Sequence, residues 1–366
     1  MALPTADRLL LGPGPSPVSA GVQAALAAPP RSHLDPDMMA VLDAIRARLT
    51  RVFRAADEAA TLAVSGTGSA GMEAVVANLV EPGRRAVAVV NGYFGDRLAN
   101  LLARYGATVE RIEGEWGAAI DLARVEGAVA VSRPDLIAVV HGETSTGVRN
   151  PVADIAALAR RHDALTIVDA VTSLGAVPLE VAGWQIDAAY SCTQKGLGAP
   201  SGLAPVTFST RALARRVPCR SFYFDLGLLQ DFWIRRKYHH TISAPLVYAL
   251  AAALEEVEDE GLDARWARHE AVHRHFVREA ASIGLSLLPA ESDRLWSLNA
   301  VRVPDGVNET AVRRTLLERY GIEIGAGLGP LAGKVWRVGL MGSGATLENV
   351  SRLLTALAPA MKETPA

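Results

Sequence analysis

The stretch Leu165-Thr166-Ile167-Val168-Asp169-Ala170 decides the fold. Its first four residues are apolar or β-branched, an acid follows, and a small residue comes next. A short run without polar alternation predicts a strand buried on both faces, as in a parallel sheet covered by helices. Comparable runs stand at Leu62–Val64, Ala86–Val90, Leu136–His141, Ala188–Ser191 and Leu203–Phe208. Helical spacing occupies Ala70–Leu79, Phe94–Tyr105 and Val152–Arg161 between several of them. Alternating strand and helix from about Thr61 to Ser209 predicts an α/β fold with a mostly parallel sheet.

The flanks read differently. The first 35 or so residues are rich in Pro and Gly and read as an extended arm, followed by a helix over Met38 to Phe53. Near Ser243 the pattern changes to two long helices, about Ala244–Glu260 and Ala264–Ile283. A strand at Leu298–Val303, a helix at Glu309–Tyr320, a strand at Val335–Gly339 and a last helix from Leu347 complete an α+β unit. The expected organisation is an N-terminal arm (1–35), a large domain (36–242) and a smaller C-terminal domain (243–366).

Composition narrows the function classes. The 366 residues are 50% hydrophobic and 21% charged, enough chain for one large core and a smaller one. A net charge of −2 leaves no electrostatic footprint for nucleic acid or an anionic membrane, so neither is an expected partner. Two cysteines, Cys192 and Cys219, cannot build a disulfide framework and suit a reducing compartment. The N-terminal MALPTADRLLLGPGPSP has only a three-leucine apolar run, too short for a signal-peptide core. No apolar run approaches the ~20 residues that span a bilayer. The cytoplasm is the expected location.

Ligands of open α/β sheets sit at the carboxyl ends of the strands, so chemistry is sought there. Ser65-Gly66-Thr67-Gly68-Ser69-Ala70-Gly71-Met72-Glu73 follows an apolar strand and opens a helix. Glycines allow close backbone approach, and the free N–H groups of a helix start favour a phosphate. The string also matches the dinucleotide pattern of glycines. That reading needs an acid about 20 residues on, where this chain has Asn91-Gly92. A phosphate cradle fits better, and a tight turn that binds nothing is the plain alternative. Asp169 ends a buried strand, where a carboxylate is costly unless something positive meets it. A protonated pyridine nitrogen would do so, as would a helix cap or a structural ion pair. Lys195, in Ser191-Cys192-Thr193-Gln194-Lys195-Gly196-Leu197-Gly198, follows another short strand among small residues. Alone it reads as a solvent-facing loop lysine, as most lysines are, and its pairing with the other two places shifts that reading. A desolvated amine is a good imine-former, and one cofactor with a phosphate, a pyridine nitrogen and an aldehyde would satisfy all three places.

Strings along the whole chain resemble the class V aminotransferases, in particular the alanine–glyoxylate and serine–pyruvate group. They are Leu11-Gly12-Pro13-Gly14-Pro15-Ser16, Glu81-Pro82-Gly83, His141-Gly142-Glu143-Thr144-Ser145-Thr146-Gly147 and Val168-Asp169-Ala170-Val171. They continue through Gln194-Lys195, Tyr238-His239-His240-Thr241 and Trp336-Arg337-Val338-Gly339-Leu340-Met341-Gly342. The resemblance implies fold type I, with a seven-stranded, mostly parallel sheet, and pyridoxal 5'-phosphate as cofactor. It implies that Lys195 binds the cofactor aldehyde as an imine and moves the substrate proton, and that Asp169 keeps the ring nitrogen protonated. Thr144 would hydrogen-bond the ring hydroxyl, while Val171 and Phe94 would cover the two ring faces. Thr67, Gly68, Ser69 and Gln194 would hold the phosphate. Tyr238 and Thr241 would reach the phosphate of a neighbouring subunit, in a homodimer with shared sites. Arg337 would hold the substrate carboxylate with its two-pronged fork. His33 would lie near the substrate. Phe94 stands where alanine–glyoxylate members carry Trp, and Ser69 where some carry His.

The implied activity is transfer of an amino group from a small L-amino acid, alanine or serine, to glyoxylate or pyruvate by a ping-pong mechanism. The related (S)-ureidoglycine–glyoxylate group ranks second. It carries Gln where this chain has Ser32-His33-Leu34-Asp35 and Asn where it has Tyr238. A lyase or desulfurase on the same fold is the third reading, although neither cysteine lies in the C-terminal part. Adjacent His239 and His240 are expected to point apart, and no spaced ligand set suggests a metal. His269, His273 and His275 are expected on a solvated helix face, and Cys192 as a small packing residue.

Overall fold

The computed structural model describes residues 8–364; Met1–Asp7 of the expected arm and the last two residues lie outside the described residues. Leu165–Asp169 is the middle strand of a seven-stranded sheet and all five of its residues are buried. The spatial order is Ala60–Ser65, Leu203–Phe208, Ala188–Tyr190, Leu165–Asp169, Leu136–Val140, Arg85–Val90 and Thr108–Glu113. Leu203–Phe208 runs antiparallel to both neighbours and every other pair is parallel. The chain is therefore an α/β protein with a seven-stranded, mostly parallel sheet, as expected. Its apolar core joins this sheet to helices that include Pro36–Val52, Gly68–Leu79, Tyr93–Arg104 and Val152–Arg161. Asp35 opens the first of these, its carboxylate accepting from Asp37 N–H at 2.8 Å with Pro36 at the first helical position.

A second core gathers Phe276, Val312, Leu316, Trp336, Val338 and Leu357 around a three-stranded sheet in the order Leu298–Arg302, Val335–Gly339, Gly325–Ala326. The helix Ala244–Glu260, expected to open the smaller unit, has its apolar face in the first core through Val247, Leu250, Leu254 and Val257. The change of core thus falls between Leu262 and Val272, because period alone does not say which sheet a helix covers.

The arm is not simply extended. Ala20–Leu26 is a helix, with Ser19 Oγ accepting from Val22 N–H at 3.1 Å, and Val22 packs with Ala249 and Ala253. Upstream, Leu9–Leu10 pairs in parallel with Ile322–Glu323, and Leu11 is fully buried in the second core. Ser16 then donates from Oγ to the Lys195 carbonyl at 2.9 Å, and its N–H reaches Gln194 O at 2.8 Å. The arm therefore ties the second core to the lysine loop. No helix among the described residues is long and apolar enough to cross a membrane.

Leu11→Ala should cost about 2–5 kcal/mol of unfolding free energy, the range for truncating a buried leucine. Urea unfolding reads this; a loss below about 0.5 kcal/mol, typical of a surface change, would mean that the arm does not belong to the second core.

Candidate active site

The parallel strands of the large sheet end on one edge, and the small sheet lays the middle of Val335–Gly339 across it. Between them is a cavity of about 280 Å³. It brings together ten of the twelve expected site residues: Thr67, Gly68, Ser69, Phe94, Thr144, Asp169, Val171, Gln194, Lys195 and Arg337.

Lys195 is the one buried lysine among the chain's four; Lys237, Lys334 and Lys362 are exposed. Its Nζ donates to Thr172 Oγ1 at 2.9 Å and Thr144 Oγ1 at 3.1 Å. Burial pushes the ammonium pKa down, toward the free amine that a nucleophile or base requires. Gly14 of the arm packs closely on the aliphatic stem, where an added Cβ would sit 3.1 Å from Lys195 Cε.

Asp169 caps the central strand. Its carboxylate accepts from Val171 N–H and Tyr190 O–H, both at 2.8 Å, and no cation touches it. Burial drives its pKa up to about 6; the two hydrogen bonds and the Lys195 charge offset this only in part. A deficit of positive charge is therefore built into the sheet edge.

The opposite end is shaped for an anion. Thr67 precedes the helix Gly68–Leu79 without a side-chain cap, which leaves first-turn N–H groups for a ligand. Gly68 is needed for space, since a Cβ there would meet Val171 Cγ2 at 2.9 Å. Gln194 lines the same cavity; the atom it leaves without a protein partner is Oε1, an acceptor that awaits a donor.

Phe94 is set by a residue that sequence reasoning left without a role. Glu143 is fully buried, and its carboxylate accepts from Gly95 N–H at 3.0 Å, Phe94 N–H at 3.4 Å and Ser145 Oγ at 2.6 Å. It thereby seats the first turn of the helix Tyr93–Arg104. An acid just past the buried strand Leu136–Val140 gave the same signal as Asp169. Pro13, Gly14, Arg97 and Leu328 also line the cavity without having been singled out for it, and Thr172 gave no signal at all.

Arg337 is 7% exposed and comes from the middle strand of the small sheet. It donates from Nε to Ala326 O at 2.6 Å and from Nη1 to Thr144 O at 3.4 Å. No carboxylate lies within ion-pair distance among the described residues. Burial lowers its pKa to about 10, against the attraction of Glu143.

Three expected residues stand elsewhere. Tyr238 and Thr241 are exposed and outside the cavity, and His33 rests against the Tyr238 ring at 5.2 Å. His239 and His240 do not point apart: their Nδ1 atoms meet at 2.8 Å, and His240 Nε2 reaches Ser65 Oγ at 2.8 Å. The described residues contain no metal-type cluster. His269 and His273 are buried rather than solvated. Gly342 N–H donates to His269 Nε2 at 3.2 Å, His273 Nδ1 bonds Asn299 Oδ1 at 2.7 Å, and burial lowers their pKa values to about 3 and about 4. Cys192 is a buried packing residue, its thiol pushed up to about 12 by burial.

The model of the aminotransferase class-V family matches residues 24–353. The chain belongs to the class V aminotransferases. A solved alanine–glyoxylate aminotransferase from Nostoc sp. is 44% identical, with a TM-score of 0.96 over 98% of this chain and 97% of that one. The alanine–glyoxylate aminotransferase of Oryctolagus cuniculus is 38% identical over 98% of this chain and 93% of its own length. The (S)-ureidoglycine–glyoxylate transaminase of Bacillus subtilis (strain 168) is 35% identical over 96% of this chain and 89% of its own. Class V aminotransferases use pyridoxal phosphate, and the cavity suits it: an unmatched carboxylate, an uncapped helix start and a buried amine line one space.

In the cofactor-free chain, the Asp169 pKa stands at about 6 against an ordinary 3.8, so folding takes up a proton between those values. Its contribution to stability therefore falls as pH rises through that window. Asp169→Asn removes this contribution, and its stability relative to wild type should climb with pH from about 4 to about 6 and then level. Urea unfolding of both chains reads the difference; a pH-independent gap would mean an ordinary carboxylate.

Proposed function

We propose that this class V aminotransferase moves the amino group of a small L-amino acid, alanine or serine, to glyoxylate or pyruvate in two half-reactions. The observation that carries this reading is Arg337, a buried guanidinium with no acid partner, in the same cavity as Lys195. A lone buried cation is costly until an anion meets it, and its planar fork suits a carboxylate. The donor and the acceptor each carry one carboxylate, so the same arginine serves both half-reactions.

Pyridoxal phosphate, when bound, supplies an aldehyde for amine exchange and a conjugated ring that takes up the electron pair left at Cα. Asp169 would hold a proton on the ring nitrogen and so return to the ionised state. Thr144 would hydrogen-bond the ring hydroxyl, and Phe94 and Val171 would cover the ring. Lys195 Nζ, its ammonium pKa lowered by burial, would take the proton from Cα and return it on the far side of the transfer. Thr67, Gly68, Ser69 and Gln194 take the phosphate.

The ureidoglycine reading keeps the same machinery and differs in the donor. A desulfurase is disfavoured, because Cys192 is buried with a raised thiol pKa and Cys219 lies outside the cavity. Tyr238 and Thr241 serve the neighbour's phosphate in a cytoplasmic homodimer on this reading. The exposed Phe222 (70%) and Tyr238 (63%), with Tyr223 and Ile234, supply an apolar surface for it. Light scattering should then give twice 38.7 kDa, whereas a single-chain mass would remove the shared sites.

Initial rates with alanine, serine and ureidoglycine against glyoxylate and pyruvate test the substrate assignment, with parallel double-reciprocal lines expected. Arg337→Lys should lower kcat/KM for both carboxylate partners by about 10- to 100-fold, since a point charge replaces a fork. Unchanged values for both would take Arg337 out of the site; ureidoglycine as the fastest donor would select the second reading.

A further inference from the structure

We propose that Arg97 is the cation that meets the cofactor's phosphate group, reaching it from the second helix of the cavity. This rests on the site reading above and adds a residue to it. Arg97 lies in the helix Tyr93–Arg104, about one turn from its start, and crosses to the first turn of the helix Gly68–Leu79. Its Nη1 donates to Ser69 Oγ at 3.2 Å, and its Cζ stands 5.0 Å from the Phe94 ring centre and 5.3 Å from that of Tyr93. It is a cavity-lining residue.

Charge balance points the same way. A phosphate monoester carries nearly two negative charges at neutral pH, and a helix start offers about half a positive one. Thr67, Ser69 and Gln194 are neutral. Of the three cations that line the cavity, Lys195 is engaged with Thr144 and Thr172, and Arg337 with Ala326 O and Thr144 O. Arg97 is the third, and it alone touches Ser69. It has no acid partner among the described residues. Its neighbour Asp96 is already taken by Arg111 at 2.6 Å and by Asn100 at 3.0 Å. The cation–π contacts with Phe94 and Tyr93 and the bond to Ser69 Oγ hold the guanidinium at the helix start before an anion arrives. The same contact couples the ring that covers the cofactor to the group that anchors its phosphate.

The test compares two ligands that differ only in the phosphate. The full-length protein, freed of cofactor, is titrated with pyridoxal phosphate and separately with pyridoxal, following the visible imine band. Arg97→Gln should raise the Kd of pyridoxal phosphate about 10- to 100-fold and leave that of pyridoxal within about twofold. Arg97→Lys should restore part of the loss, and added salt should weaken wild type more than Arg97→Gln. An unchanged Kd for pyridoxal phosphate in Arg97→Gln would overturn the proposal. Equal weakening of both ligands would also overturn it, leaving Arg97 a support for Phe94. A wild-type chain that binds pyridoxal phosphate no better than pyridoxal would remove the phosphate cradle itself, and Arg97 with it.

Discussion

Two opposite charges are buried at neighbouring strand ends and kept out of contact with each other. Asp169 accepts from a backbone N–H and a tyrosine hydroxyl, and Lys195 donates to two threonine hydroxyls. Closing them into an ion pair would be the cheapest way to bury both. Asp169 ends the strand Leu165–Asp169 while Lys195 lies in the loop after Ala188–Tyr190, and neutral donors and acceptors take the place of the missing partners. Each group is pushed toward its uncharged form, the acid up and the amine down. The cost falls when a ligand brings a cation to the acid and an electrophile to the amine. The cavity is thus defined by what it lacks as much as by what lines it.

Much of the remaining structure keeps that arrangement in place. The central strand is covered on both faces, so Asp169 stays dry. The arm crosses from the second core to the lysine loop, with Leu11 anchored at one end and Ser16 at the other. Glu143 seats the turn that presents Phe94, satisfying helix N–H groups that would otherwise be unpaired. Arg337 enters from a sheet with its own core, so Arg337 and Lys195 sit on different bodies of packing. Such sites are held by supporting contacts around the reacting groups, which is where a loose shell would be felt first.

The sequence revealed those parts in which local pattern and final environment agree. Leu165–Asp169, Leu203–Phe208, Ala244–Glu260 and Val335–Gly339 have the observed bounds, because each is a mostly apolar or β-branched short run or a helix bounded by Pro245 and Gly261. The strand Thr108–Glu113 was missed: it lies at the sheet edge, is mostly exposed or half-buried, and carries alternating charges. The helix Leu122–Ser132 was missed because its Val-rich end and Gly127 resemble neither a strand nor a good helix. The buried face of Leu262–Ser282 holds Arg265, His269 and His273, so hydropathy read it as solvated. At the site, the strand-end acid and lysine stood out by their surroundings. Arg97 and Thr172 did not, since their meaning comes from residues 28 and 23 positions away.

The central claim is that the cofactor is held covalently by Lys195 at this sheet edge. The most direct measurement is borohydride reduction of the full-length protein loaded with pyridoxal phosphate, followed by peptide mass mapping. With four lysines in the chain, one buried in the cavity and three exposed, the mapping has few possible outcomes. The account predicts one phosphopyridoxyl group per chain, on the peptide containing Lys195. A group on Lys237, Lys334 or Lys362 instead, or none on any lysine, would contradict it.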